Sequence, residues 1–179
     1  MDNSLLVRIW LGRASFLMCG LGILIFELVP LRFTPSAFSH PDLVFGLAFA
    51  ILLRRPEFVP VWLLTLVLLL ADFLLLRPVG LWTAIVILAA EFARSQEYRF
   101  RELSFPFEWA FFGAVLFLAL ILNRSVLALM LIPQAGFSAM MLHFLSSFLI
   151  YPLLVLFSSF ILRIRKFTPH EALQYGRKL

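Results

Sequence analysis

The chain has 179 residues, of which 63% are hydrophobic and 14% charged, with a mean hydropathy of +1.00. A soluble domain is about 45–50% apolar and about 25% charged, so this composition excludes a small water-soluble globule and points to lipid as the solvent. The net charge of +5 and pI of about 10.1 would suggest nucleic acid in a soluble protein, but the positive charges fall between apolar runs, where membrane topology explains them and no nucleic-acid partner is expected.

At about 20 residues per crossing, the length allows one integral domain, 1–179, of five to seven helices. Segment one is predicted over 10–29. Arg8 and Arg13 precede it as in a signal peptide, but the run is long, ends in Glu27 and lacks a small-residue cleavage site, so it is expected to be retained. Gly12, Gly20 and Gly22 suit close helix packing there. Pro30, Pro35 and Pro41 make the following linker irregular. Segment two, 42–53, rises only about 18 Å against a hydrocarbon core of about 30 Å. It crosses only if neighbours bury it, its flanks extend it or the bilayer thins, and the Gly46/Ala50 pair favours burial.

Segment three, 58–76, is the clearest crossing, and segment four, 79–93, is short again. Residues 94–106 are the most polar stretch and read as a loop. Segment five is expected over 107–122, interrupted by Asn123-Arg124, with 125–132 as an interfacial piece. Pro133-Gln134-Ala135-Gly136 signals a turn. Segment six covers 141–162 with Pro152 inside it, where a kink is expected with neighbours re-satisfying the freed backbone. A basic tail, 163–179, closes the chain. With six crossings and both termini cytoplasmic, Arg32, Arg77 and Arg124 fall outside and the other 12 of the 15 Lys and Arg inside. That asymmetry follows the positive-inside rule.

A charge at membrane depth costs at least about 2.5–3.5 kcal/mol, so each needs a reason. Glu27, Asp42, Asp72 and Arg77 form an outer tier; Glu91, Arg94, Glu108, Arg54 and Arg55 form an inner one. Asp72 is the deepest acid, about 21 Å from the inner end of its helix. It is expected to meet a group on another helix, either in packing or as a contact to a ligand, proton or partner, with Arg77 on a different face. Glu91 and Arg94, three residues apart, are expected to pair. His143 stands alone, with no second His or Cys at ligand spacing, so no metal site is expected. Ser146, Ser147, Ser158 and Ser159 read as packing residues, no nucleophile elbow or phosphate loop occurs, and Cys19 is a small buried hydrophobe. No cofactor and no catalytic residue is expected. Asp42 and Asp72 lie on adjacent helices, but their motifs do not support an intramembrane aspartyl enzyme.

The order of these features resembles the MreD family of bacterial rod-shape-determining membrane proteins. Pro41-Asp42-Leu43 opens a short helix and Arg54-Arg55-Pro56, followed by Glu57, makes the inner turn, as in alphaproteobacterial members. Asp72 lies near the outer end of the third helix, and Pro78-Val79-Gly80-Leu81 makes the outer turn. The fourth helix ends in Glu91 and Arg94, and the sixth holds Tyr151-Pro152. The resemblance covers nearly the whole chain and rests on order, spacing and size. One departure is the run Leu68-Leu69-Leu70-Ala71, where many members carry a Gly. The resemblance implies an all-α six-helix membrane bundle similar to the substrate-binding subunits of energy-coupling-factor transporters. It also implies a non-enzymatic subunit of the elongation machinery in the bacterial inner membrane. Its implied direct partner is the transmembrane helix of MreC, with MreB, RodA and its penicillin-binding transpeptidase partner in the same machinery. Asp42, Arg54, Arg55, Pro56, Asp72 and Gly80 would carry the family pattern. Basic residues of the inner face, among them Arg99, Arg101, Arg163, Arg165 and Lys166, suit anionic lipid. The alternative reading is a small-molecule binder, either a vitamin-uptake subunit or a lipid-intermediate carrier.

Overall fold

A computed structural model describes residues 3–28, 41–96, 104–134 and 136–160. The predicted linker before Pro41, most of the polar loop and the basic tail lie outside these residues, as do Arg32, Arg99, Arg101, Arg163, Arg165 and Lys166. The described residues form helices α1 (Asn3–Leu28), α2 (Leu43–Leu52), α3 (Val61–Leu74), α4 (Leu81–Ser95), α5 (Phe105–Leu129) and α6 (Phe137–Phe160), with a 3-10 turn at Pro56–Phe58 and no strand among them. Three stretches, Leu6–Leu28, Phe105–Leu129 and Phe137–Ser159, are long and apolar enough to cross a membrane. The chain thus has the helical character of a membrane protein.

α2 is the axis of the bundle. Every residue from Val44 to Leu52 is buried, which a ten-residue apolar helix achieves only when neighbours cover all its sides. It packs against α1, α4, the 3-10 turn and, most extensively, α6. Small residues permit the approach: a Cβ on Gly46 would lie 2.6 Å from Leu154 Cδ1 on α6. Phe45 and Phe49 then fill the space towards α5 and α6. Phe112 packs on both rings at 5.6 and 5.3 Å between centroids, and Tyr151 stacks on Phe112 at 4.0 Å. The outer helices bury one stripe each. On α1 it is Phe16, Gly20 and Leu24, four residues apart. Gly12 and Gly20 lie against Phe58 and Val67, whereas Gly22, expected to pack, faces open space. Leu142, Leu145, Leu149, Leu153 and Leu156 line the outward face of α6.

Helix bounds differ from the expectation for five of the six segments. Segment three, expected over 58–76, is helical only from Val61 to Leu74, because Phe58 ends the 3-10 turn before it. Segment five does not stop at Leu122. Asn123 and Arg124 continue α5, because neither blocks the backbone ladder as proline would, and Ser125 Oγ bonds back to the Ile121 carbonyl at 2.8 Å. The stretch after Ser125 is therefore the last turn of α5 rather than a separate interfacial piece. α6 begins at Phe137 rather than 141, where the Gly136 carbonyl takes the Ala139 and Met140 N–H groups. α1 begins at Asn3 rather than 10. Segment four loses Val79 and Gly80, since Gly80 at φ 84° caps α4 instead of joining it.

Candidate functional site

The ionisable residues singled out in the sequence gather at the two ends of α2. At its C-terminal end Arg54 is buried. Its Nη1 donates to the Ala50 carbonyl at 3.0 Å, folding the guanidinium back along its own helix, and Nη2 lies 3.0 Å from Glu108 Oε1 on α5. Tyr151 on α6 donates its hydroxyl to the same Oε1 at 3.0 Å. Both ion-pair side chains are at most 7% exposed, so the tie among α2, α5 and α6 is shielded from solvent. Glu108 was placed in the inner tier by sequence; Tyr151 was visible only as a neighbour of Pro152.

At the N-terminal end, Asp42 holds three elements together. Its Oδ1 accepts from Arg77 Nη1 at 3.2 Å, and Oδ2 lies 2.8 Å from His143 Nε2 on α6. Its backbone N–H donates to Ser147 Oγ at 3.0 Å. His143, Ser147 and Tyr151 recur every four residues, so one face of α6 serves both ends of α2. His143 therefore does not stand alone, as the sequence suggested. Its partner lies 101 positions away and no local spacing could show it.

Asp72 is wholly buried and caps a helix that is not its own. Gly80 occupies the N-cap of α4 and has no side chain to accept from the first turn. Asp72 Oδ2 fills that role, accepting from Gly80 N–H at 3.0 Å, Thr83 N–H at 3.4 Å and Thr83 Oγ1 at 2.8 Å. A carboxylate there also meets the positive end of the α4 dipole. Its Oδ1 has no hydrogen-bond partner. Thr83 was missed by sequence reasoning, although it stands three residues after Gly80, where a cap bond falls.

The turn after α2 is held from both sides. Arg13 on α1 donates to the Glu57 carbonyl at 3.2 Å, and Arg94 on α4 donates through Nη2 to the Val59 carbonyl. Arg94 also pairs with Glu91 at 3.5 Å, as their spacing implied, with Glu91 half exposed. Arg55 is buried and lies 3.9 Å from Glu57, while Pro56 opens the 3-10 turn. Pro152 lies within α6 and has no N–H for the Phe148 carbonyl. Trp109 Nε1 donates to that carbonyl at 2.8 Å from α5, and its ring stacks on Phe148 at 4.7 Å.

Chemically, these groups bind one another. Asp42 and Asp72 are bonded to different partners. Ser146, Ser158 and Ser159 donate to carbonyls three residues back, and Ser147 accepts from Asp42. Among the described residues, no three of His, Cys, Asp and Glu come together to hold a metal ion. No protein-family model, curated protein or solved structure matches this chain.

Proposed function

We propose that the protein is a non-enzymatic, multi-pass subunit of the bacterial cell-elongation machinery, of the MreD type. It binds the transmembrane helix of MreC and so helps maintain rod shape and lateral peptidoglycan synthesis. The observation that carries this reading is the use to which the buried ionisable residues are put. Asp42, Arg54, Asp72 and Glu108 each bond to another segment of the bundle, which is how a scaffold uses charge. The ring cluster of Phe45, Phe49, Phe112 and Tyr151 takes the central space that a vitamin would need, which weighs against a small-molecule carrier.

In this reading all six helices cross the inner membrane, with the Arg54 end cytoplasmic. Two contacts support the alternation: α1 brings Arg13 to the Arg54 end, while α6 brings His143 to the Asp42 end. The short α2 tolerates the bilayer because protein, not lipid, surrounds it. The Arg54 end faces anionic headgroups, and MreB, RodA and its transpeptidase partner belong to the same assembly.

The test is capture from host membranes. The tagged full chain, extracted in mild detergent, should bring MreC with it, and an MreC whose transmembrane helix is replaced by an unrelated one should be lost. Recovery of a monodisperse, folded protein without MreC overturns the proposal.

A further inference from the structure

Two turns at the Asp42 end of the bundle are built alike. α3 closes with Leu76 at φ 52°, its N–H on the Phe73 carbonyl and that of Arg77 on the Asp72 carbonyl. α5 closes with Leu131 at φ 56°, its N–H on the Ala128 carbonyl and that of Ile132 on the Leu127 carbonyl. The left-handed residue of such a cap is usually Gly or Asn. Here it is leucine twice, 93% and 90% exposed. Val79, Leu129 and Phe137 nearby are also more than half exposed; no charged residue occurs from Ser125 to Leu142, and Arg77, in the α3–α4 turn, is paired with Asp42 at 3.2 Å.

Length explains where these turns end. From Glu108, at the Arg54 end, to Leu129 is 21 residues, about 32 Å of helix against a hydrocarbon core of about 30 Å. α3 with 14 residues and α4 with 15 rise only about 21–23 Å. Their turn stops about 10 Å short of the tip of α5. We propose that both turns seat in lipid: the α5–α6 turn at the headgroup boundary of the far leaflet, and the α3–α4 turn submerged below it, with that leaflet thinned over this flank. Lipid is the occupant because Leu129 and Leu131 continue the exposed apolar face of α5 at Leu118, Ile121 and Leu122, and Leu76 continues that of α3 at Leu66, Leu70 and Phe73. The inference rests on the membrane-spanning reading above.

Single cysteines placed by Leu76→Cys, Leu118→Cys and Leu131→Cys in a Cys19→Ser full chain carry an environment-sensitive nitrobenzoxadiazole label. The protein is reconstituted into phosphatidylethanolamine–phosphatidylglycerol vesicles. All three labels should emit blue-shifted light and be quenched by doxyl-labelled lipid, Leu131 best by a headgroup-level doxyl and Leu76 by a deeper one. Iodide quenching should be several-fold weaker than for the same label on a water-soluble thiol. Iodide quenching at Leu76 or Leu131, with Leu118 still quenched by lipid, places the turn in water and overturns the proposal. Protection of the turn labels from both quenchers means that protein covers them, and overturns it too. Loss of lipid quenching at Leu118 itself overturns the membrane-spanning reading and the proposal with it.

Discussion

Asp72 shows how much one side chain decides here. Three donors converge on its Oδ2, and two of them are the backbone N–H groups that open α4. Asp72→Ala leaves those donors buried without an acceptor, at about 1–3 kcal/mol each when no water reaches them. Asp72→Asn keeps one carbonyl oxygen and should cost less, and Thr83→Val should cost about 1 kcal/mol, with the hydroxyl bond alone removed. Thermal unfolding in detergent orders the three: Ala worst, then Asn, then Val. Equal losses for Ala and Val would contradict the capping role. The Arg54–Glu108 pair makes a second case. Removing one partner, as in Glu108→Leu, strands a buried charge and should destabilise by about 3–5 kcal/mol. Removing both, with Arg54→Met added, should recover part of that loss, since the stranded guanidinium goes with it. Tyr151→Phe, which leaves Glu108 its arginine, should cost about 1 kcal/mol. A double variant no better than Glu108→Leu would show that the pair is not the source of the loss.

At the scale of elements, α5 and α6 are joined by a proline and the tryptophan that answers it. Trp109→Phe keeps the ring stack on Phe148 and removes the N–H, which leaves a part-buried carbonyl unpaired at a cost of about 1–2 kcal/mol. In a Pro152→Ala background the helix supplies its own donor to that carbonyl. The Trp109→Phe loss should then shrink by about 1 kcal/mol, a coupling that a double-mutant cycle in detergent measures. Additive losses would assign Trp109 to packing alone. This tie was half legible in the sequence. Pro152 announces a freed carbonyl, but nothing local says that residue 109 satisfies it. The extent of α5 was misread for a related reason: Asn123-Arg124 looked like an interruption because polar residues usually mark a loop between apolar runs. A helix tolerates both, and the turn comes only at Leu131, where no glycine announces it.

For the whole molecule, the helices were legible because each is an apolar run bounded by proline, glycine or charge, and burial by neighbours, one of three alternatives left open for the short second segment, is what α2 shows. Which charges pair was not legible, since Arg54 meets Glu108 across 54 positions and Asp42 meets His143 across 101. Such long-range ties account for how polar groups sit inside an apolar bundle: each end of α2 is fastened by α6 together with other segments, and the middle is closed by aromatic rings. A bundle closed in this way is suited to holding a partner helix on its outside. The proposed role in cell elongation is best tested in the cell. Depletion of the protein in its native host, with cell width followed by microscopy in unchanged medium, should make rods widen and round while growth needs no supplement. Rods that keep their width while growth comes to require an added vitamin would contradict the account and assign the bundle to uptake.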